Sequence, residues 1–318
     1  MMMRNKKYMK ICFVYSNRSE FSILLPFIQY FEEKIETDKI DLSKTIKNIH
    51  DDRNLGKIYM QCYEKFTTKK YDYVCLLGDR RELPFIALAA FFSNIRIIHI
   101  GAGEFLKGIP TYDQIIRPVV SILSYFQISL SKEAKSHVSH LFKGIQYLKP
   151  KTYNLGNPIF RGINLKKLVR PIKENYDLVL IHPQSLRRKD TENDLMKLQH
   201  YLKNKRTVFI NGNKDRNFDL IESFYKKMKK RKKYVFYDSL PKKEYFAFIK
   251  YCDNFYTNTS GISEIELLNK DCLVKIGLRN KGRSKHELND KAPELLLNLL
   301  KKDYSKKTSP FNKRQNQP

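Results

Sequence analysis

Charged side chains follow two short apolar runs within residues 73–104. The run "YVCLL" leads into a Gly-Asp-Arg turn with Asp79 and Arg80, and the run "RIIHI", which contains His99, leads to Glu104. Polar residues at the ends of predicted strands suit a ligand site, because ligands bind beyond the carboxyl ends of parallel strands. Either carboxylate alone is typical of a solvated loop, so the hypothesis depends on their shared location.

A second polar cluster, "NTSGISEIELL", follows the apolar run "NFYT". Thr259 or Ser260 is the expected N-cap of a helix over 262–268, and Gly261 allows a close approach of the backbone. Main-chain N–H groups at a helix start, with hydroxyls beside them, suit a phosphate. Glu264 lies about one turn further on, where a carboxylate suits a ribose diol. The alternative is an ordinary capped helix in which Glu264 stabilises the helix dipole.

Further basic and acidic side chains also follow predicted strands. Arg18 and Glu20 follow "ICFVYS", the first strand. His182 follows "LVLI", and the pKa of an ordinary imidazole, near neutral pH, suits donation to a phosphate or assistance of a leaving group. Arg279 and Arg283 follow "CLVKIG" and suit contact with a nucleotide base or phosphate. The alternatives are a structural histidine and surface arginines.

The elements that position these residues alternate between apolar runs of strand length and segments of helical periodicity. Strands separated by helices predict βαβ units and a parallel sheet covered on both faces. There are two such series, which predict an α/β chain of two doubly wound Rossmann-like domains over 1–157 and 158–300, followed by a disordered basic tail over 301–318. Because ligands bind beyond the carboxyl ends of such strands, the cleft between the domains is the expected site.

Composition and motifs argue against several other classes of protein. The 318 residues carry a formal net charge of +28, but Lys and Arg occur throughout and no aromatic RNA-binding stripe is present, so we predict no nucleic-acid partner. No apolar run has the length of a membrane span and no signal cleavage site is seen, so the cytoplasm is the expected compartment. Five scattered cysteines without a CxxC pair predict reduced thiols and no metal site. The absence of GxGxxG, GxxxxGK[ST] and GxSxG argues against a dinucleotide site, a P-loop and an α/β-hydrolase.

Five segments in order along residues 8–290 resemble the UDP-N-acetylglucosamine 2-epimerase family, including the hydrolysing branch used in sialic-acid-type sugar synthesis. They are "NRSEFSILLPFI", "YDYVCLLGDRRELPFIALAA", "IIHIGAGE" with "DQIIRPVVSILSYF", "NLGNPIF", and "SLPKKEYFAFIKYCDNFYTNTSGISEIELLNKDCLVKIGLRNKGR". The Gly-Asp-Arg segment and the last segment are the most specific. The fold of this family is GT-B, with two Rossmann-like domains, which agrees with the two predicted series.

The resemblance implies a reaction in which the C2 proton of UDP-GlcNAc is removed and UDP leaves from C1. In the hydrolysing branch, water then adds at C1 and releases N-acetylmannosamine and UDP. By the same resemblance, the catalytic residues are Asp79, Glu104, Asp113 and His182. The implied substrate- and UDP-binding residues are Arg18, Arg117, Asn258, Thr259, Ser260, Gly261, Glu264 and Arg279. This chemistry requires no cofactor or metal, its partner is a UDP-N-acetylhexosamine, and members of the family are often homodimers.

Two departures from the family pattern keep alternatives open. Gly101 stands where many members hold an acid, although part of the hydrolysing branch lacks it too, and the region 105–112 aligns poorly. A GT-B glycosyltransferase shares the fold and the nucleotide end of the site, but it needs no opposed carboxylates such as Asp79 and Glu104. A catalytically weakened nucleotide-sugar-binding protein is the third hypothesis.

Overall fold

Two compact units make up the described chain. The computed structural model describes residues 9–43, 53–105, 112–143, 145, 151–184, 186–202, 205–212 and 215–308. The first unit holds the described residues up to Glu104, those of Ile115–Arg161 and those from His286 onward. The second unit holds those of Gly162–Lys285 and the few described residues between Glu104 and Ile115.

A six-stranded parallel sheet, with the order β2-β1-β3-β4-β5-β6, forms the centre of the first unit. All five residues of β3 are buried, with Cys75 and Leu77 in one core and Val74 and Leu76 in the other, because helices cover both faces of the sheet. The elements are β1 (Lys10–Tyr15), α1 (Arg18–Glu32), β2 (Glu36–Asp41), α2 (Arg53–Lys69), β3 (Tyr73–Leu77), α3 (Leu83–Phe92), β4 (Arg96–Ile100), α4 (Asp113–Leu123), β5 (Phe126–Ser129), α5 (Lys132–Leu141) and β6 (Lys151–Asn154).

The sheet of the second unit has five parallel strands in the order β11-β10-β7-β8-β9. The strand order reverses between β7 and β10, which leaves a crevice at their carboxyl ends, the usual ligand position in a doubly wound fold. The elements are β7 (Asp177–Leu180), α6 (Arg188–Tyr201), β8 (Thr207–Ile210), α7 (Phe218–Met228), β9 (Tyr234–Tyr237), α8 (Lys242–Tyr251), β10 (Phe255–Thr257), α9 (Ile262–Leu268) and β11 (Leu273–Lys275). The two sheets confirm the predicted α/β class with two Rossmann-like domains.

The last helix, α10 (Ala292–Thr308), packs on the first unit. Leu296 and Leu300 lie in the same core as Phe31 of α1, because α10 presents apolar residues at helical spacing. The predicted domain over 158–300 therefore differs from the structure, in which the chain leaves the second unit before its last helix.

The structure also differs from the prediction of a disordered tail over 301–318, because α10 continues through "KKDYSKKT" to Thr308. The remaining tail residues lie outside the described residues. Composition alone is misleading here, because Lys301, Lys302 and Lys306 are on the exposed side of α10 while Asp303 is buried.

Strand β2 and helix α2 have no counterpart among the predicted elements. In β2 only Ile40 is buried, so this edge strand lacks the apolar alternation that marks a strand. For the neighbouring helix, the apolar spacing of the sequence predicts residues 21–36, whereas α1 spans Arg18–Glu32 and so begins and ends earlier. Its start is set by Asn17, whose side chain accepts a hydrogen bond from the main-chain N–H of Glu20.

The basic run over 226–233 begins in the last turn of α7 and continues past its end, and its seven Lys and Arg side chains are exposed. The described ranges contain no helix that is long and apolar enough to cross a membrane. All five cysteines are buried free thiols.

Asp303 joins α10 to the amino-terminal ends of the first sheet. It accepts hydrogen bonds from the hydroxyls of Tyr73 (2.7 Å) and Tyr125 (2.9 Å), and it forms ion pairs with Arg96 and Lys151. Burial alone would raise the pKa of Asp303, but these donors and cations outweigh it and lower the pKa. A carboxylate whose folded pKa is lowered stabilises the fold at neutral pH, and this contribution is lost as the pH falls through that pKa.

We expect Asp303→Asn to lower the free energy of unfolding by about 3 kcal/mol at pH 7, because it leaves two cations and two hydroxyls without their carboxylate. In calorimetry this corresponds to a Tm lower by ~8 °C. The difference should shrink below about pH 4, where the carboxylate of the unfolded chain is protonated. Asp271→Asn, at an exposed position, is the matched control. An unchanged Tm would mean that the apolar face of α10 is sufficient to hold it.

Candidate active site

The carboxyl ends of β3 and β4 hold the first group of candidate residues. These strands are parallel neighbours, and Leu77 at the end of β3 lies opposite Ile100 at the end of β4. Asp79 follows β3 by two residues and Glu104 follows β4 by four, so both turns leave the sheet at the same edge. The structure therefore brings the two predicted carboxylates to one edge of the first unit.

Arg117 of α4 connects these two turns. One of its terminal nitrogens, Nη2, forms an ion pair with the Asp79 carboxylate, and Nη1 donates to the main-chain carbonyl of Glu104 over 2.7 Å. Arg117 is only 5% exposed, and a buried guanidinium is costly unless its N–H groups are paired. The resemblance implies substrate binding for Arg117, whereas these contacts fix the relative position of Asp79 and Glu104.

A glycine-containing turn carries the chain from β4 to Glu104. Gly101 and Gly103 have φ values of +79° and +80°, which side chains of L-residues rarely adopt. At Gly103 an added Cβ would also lie 1.9 Å from the main-chain oxygen of Ala134. A glycine at position 101 is therefore consistent with the local backbone.

The Glu104 carboxylate lies inside the first unit, with a residue exposure of 8%. Its Oε1 is 2.6 Å from Nε2 of His286, where the chain re-enters this unit. Asp113, the third predicted carboxylate, begins α4, but its side chain lies outside the described residues.

His99 is fully buried and has a structural role. Its Nε2 donates to the carbonyl of Gly78 over 2.7 Å, and its Nδ1 lies 2.9 Å from the hydroxyl of Ser121 in α4. Burial lowers the pKa of His99 to about 4, so the ring is neutral at neutral pH. The polar residue inside strand β4 thus braces the turn that carries Asp79.

A second buried acidic pair lies where the strand order of the first sheet reverses, between β1 and β3. Glu20 accepts hydrogen bonds from the N–H (2.7 Å) and hydroxyl (2.8 Å) of Ser16, and Arg80 donates to Glu82 over 2.9 Å. Burial raises the pKa of Glu20 to about 7, with Arg80 opposing the shift and Glu82 adding to it. Arg18, predicted to face a diphosphate, is exposed at the first residue of α1.

In the second unit, Asn258 joins the ends of the two strands at the switch point. Its side chain accepts from the N–H of His182 over 2.7 Å and donates to the carbonyl of His182 over 2.9 Å. The main-chain carbonyl of Asn258 accepts a hydrogen bond from the guanidinium of Arg279 over 3.1 Å. Two of the predicted nucleotide-binding residues, Asn258 and Arg279, are therefore brought together with His182 by main-chain and amide contacts after β7, β10 and β11.

The imidazole of His182 is not poised near neutral pH, contrary to the sequence-based expectation. Burial, together with the positive charges of Arg279 and Arg283, lowers its pKa to about 3. The ring therefore enters any reaction at neutral pH as a neutral hydrogen-bonding group. It also packs against Gly212, where an added Cβ would lie 2.8 Å from Nδ1.

Helix α9 spans Ile262–Leu268 as predicted, but its N-cap is Gly261 and no side chain caps it. Neither of the two predicted N-cap residues caps the helix. The main-chain N–H of Thr259 donates to the hydroxyl of Thr257 over 3.0 Å, and Ser260 lies one residue before the N-cap. Glu264 is 8% exposed in the first turn, and its Oε2 would lie 3.3 Å from a Cβ added at Gly261. Glu264 therefore stays beside the Thr-Ser-Gly turn, as the ribose hypothesis requires.

Sequence reasoning missed the contacts of His286, Asn157, Glu20 and Glu82. Each depends on a partner that is remote in the chain or on a turn without periodicity, so spacing gives no indication of it. Across the described part of the chain, no group of three His, Cys, Asp or Glu side chains is placed to hold a metal ion.

Comparisons with curated proteins give relatives from two bacteria. The chain is 31% identical over 235 residues to the polysialic acid biosynthesis protein P7 of Escherichia coli, covering 69% of this chain and 58% of that protein. It is 27% identical over 262 residues to the hydrolysing GDP/UDP-N,N'-diacetylbacillosamine 2-epimerase of Campylobacter jejuni, covering 77% of this chain and 64% of that protein. The alignments thus span less than two thirds of either relative.

Comparisons with solved structures give the same fold at low identity. The UDP-GlcNAc 2-epimerase of Methanocaldococcus jannaschii, solved with UDP-GlcNAc and UDP, superposes with a TM-score of 0.70 at 18% identity, covering 92% of this chain and 100% of that chain. The Neisseria meningitidis enzyme bound to UDP-GlcNAc gives a TM-score of 0.70 at 13% identity, with the same coverage. These structures share the GT-B-like fold of two Rossmann-like domains that the two sheets display.

The family model described as UDP-N-acetylglucosamine 2-epimerase matches residues 25–295, which include the second sheet and all of the first sheet except β1. Of the site residues described above, only Ser16, Arg18 and Glu20 lie outside this range. The chain belongs to the UDP-N-acetylglucosamine 2-epimerase family.

Proposed function

We propose that this chain is a hydrolysing UDP-N-acetylhexosamine 2-epimerase, which converts UDP-GlcNAc and water to N-acetylmannosamine and UDP. The observation that carries the proposal is the double contact of Arg117 with Asp79 and Glu104. It holds two carboxylate-bearing turns at one sheet edge, and inversion at C2 requires one group to remove a proton and another to return one.

The proposed reaction has two steps. A carboxylate takes the C2 proton, the C2–H electrons form the C1–C2 double bond, and the C1–O bond breaks so that UDP leaves with its electron pair. Water then adds its hydroxyl to C1, and a proton returns to C2 on the opposite face. Glu104 and Asp79 are assigned to these proton transfers, with Asp113 as the third candidate carboxylate.

The groups of the second unit are assigned to the nucleotide. Arg279 is a cation at the switch point, where it suits the charge that builds up on the departing diphosphate. His182 contributes a neutral N–H donor beside it, and Thr259 and Ser260 contribute the turn before α9. Glu264 is assigned to the ribose hydroxyls, in line with its position in the first turn of that helix.

The names of the relatives favour the hydrolysing type and an N-acetylated sugar. The Campylobacter jejuni relative is named a hydrolysing 2-epimerase of a diacetylated sugar nucleotide, and the Escherichia coli relative is named for polysialic acid biosynthesis. We assign the chain to amino-sugar or surface-polysaccharide synthesis in the cytoplasm, with a homodimer as the expected assembly.

We expect incubation with UDP-GlcNAc in deuterated water to place deuterium at C2 of the released N-acetylmannosamine, together with stoichiometric UDP. The reason is that the proton returned to C2 comes from a carboxylate in exchange with solvent. Mass spectrometry and proton NMR of the products measure both outcomes. UDP-ManNAc without UDP release would identify the non-hydrolysing type. UDP binding without any exchange would favour a binding protein, and transfer of the sugar to an acceptor without C2 exchange would favour a glycosyltransferase.

We expect Glu104→Gln to lower the rate of C2 deuterium exchange by at least ~10³-fold, because the amide cannot accept the proton. The dissociation constant for UDP, measured by calorimetry, should stay within about threefold, because UDP contacts are assigned to the second unit. Glu133→Gln, on the exposed surface of α5, is the matched control. Loss of UDP binding in Glu104→Gln would instead give Glu104 a structural role.

We expect the His182 ring to stay neutral in the free protein from about pH 8 to pH 5, because burial and two arginines disfavour the imidazolium. The ¹⁵N chemical shifts of the ring, assigned with His182→Gln, measure its protonation. A titration midpoint near pH 6.5 would contradict this and would restore His182 as a group that changes charge near neutral pH.

A further inference from the structure

Glu104 receives different support at its main chain and at its side chain. Arg117 reaches its carbonyl, whereas His286 reaches its carboxylate, with 2.6 Å between Nε2 and Oε1. The two partners come from different parts of the fold, because Arg117 belongs to α4 and His286 belongs to the loop before α10. His286 therefore acts on the atoms that would carry the proton.

The protonation of the His286 ring follows from its two neighbours. Two lone pairs repel each other at 2.6 Å, so an ionised Glu104 carboxylate favours a hydrogen on Nε2, although the contact lacks the angle of a hydrogen bond. The other ring nitrogen, Nδ1, lies 3.1 Å from the side-chain nitrogen of Asn157, which is a donor. A neutral ring with its hydrogen on Nε2 satisfies both contacts.

Asn157 and the segment that follows His286 are held firmly. The main-chain N–H of Asn157 donates to the carbonyl of Glu287 over 2.7 Å, and the main-chain carbonyl of Asn157 accepts from the N–H of Asn289 over 3.0 Å. These two hydrogen bonds form a parallel bridge between Asn157 and Leu288. Asn157 is 1% exposed.

Glu287 is fixed on its other side as well. Its N–H donates to the carbonyl of Leu130, and its carboxylate accepts from the N–H of Lys132 and the side chain of Asn154. His286 is thus mounted on a segment tied to the ends of β5 and β6 and the start of α5. Such rigid support is what a residue needs in order to orient another one.

We propose that His286 is a positioning residue for Glu104, and that Asn157 fixes its tautomer. The chain of contacts Asn157–His286–Glu104 holds the Glu104 carboxylate in one orientation for proton transfer at C2. This inference rests on the proposed function for its catalytic consequence, and on the described geometry for the contacts themselves.

The physical effect has two parts. A carboxylate that is 8% exposed loses most of its water, and a ring N–H held 2.6 Å from Oε1 offers it electrostatic compensation. The same close contact limits rotation about the last side-chain torsion of Glu104 and keeps Oε1 beside His286. Partners of this kind affect the rate far more than the affinity, because the reacting group stays present but loses its alignment.

The experiment compares His286→Ala, His286→Gln and a control, His140→Ala, at an exposed position on α5. In His286→Ala we expect kcat for C2 exchange to fall ~100-fold, with KM and the dissociation constant for UDP within about threefold. His286→Gln keeps an N–H donor near the position of Nε2, so its kcat should return to within about tenfold of the parent. A kcat within twofold of the parent in His286→Ala would overturn the proposal. So would a joint loss of kcat, UDP affinity and Tm that glutamine does not rescue.

A second measurement does not depend on activity. The ¹⁵N spectrum of the parent protein should show a neutral His286 ring with the hydrogen on Nε2, and a hydrogen on Nδ1 would overturn the proposal. If the parent protein shows no C2 exchange at all, the proposed function fails. The ring spectrum still decides whether His286 donates to Glu104.

Discussion

The candidate site depends on one constraint: all strands of each sheet run in the same direction. In a parallel sheet the carboxyl ends meet at one edge, and the turns that leave it must come close together. Asp79 and Glu104 are neighbours at such an edge because β3 and β4 are paired to their last residues. The same constraint brings His182 and Asn258 together at the reversal between β7 and β10. The chemistry is thus placed by topology before any side chain contact is considered.

Charge at these edges is tolerated because it is compensated locally. Arg117 is nearly excluded from water, and its pairing with Asp79 and with the carbonyl of Glu104 offsets the cost of burying it. Glu20 is less well compensated, since burial and Glu82 together outweigh the effect of Arg80 and raise its pKa to about 7. One sheet edge therefore holds a tightly paired carboxylate, Asp79, and a carboxyl group, Glu20, whose pKa is raised to about 7.

The sequence was sufficient to predict the helices and strands that carry a regular apolar pattern. Buried strands such as β3 and helices such as α9 follow from apolar runs and helical spacing, and the meeting of Asp79 and Glu104 follows from parallel strands. Polar edge strand β2 has no such pattern and could not be predicted. The His286–Asn157 contact joins residues 129 positions apart, and neither periodicity nor composition encodes it. The return of α10 to the first unit was missed for a related reason, because a helical pattern does not specify which core it joins.

Three histidines show why residue type alone does not establish a role. His99 is enclosed between a carbonyl and a hydroxyl, and it becomes a neutral brace with a pKa of about 4. His182 faces two arginines, which disfavour its charged form further and leave it a neutral donor. His286 has a carboxylate oxygen 2.6 Å from Nε2 and an amide nitrogen 3.1 Å from Nδ1, so its Nε2 lies against the group assigned to proton transfer. The sequence shows three similar rings, whereas their surroundings make one a structural brace, keep one neutral and place one beside Glu104.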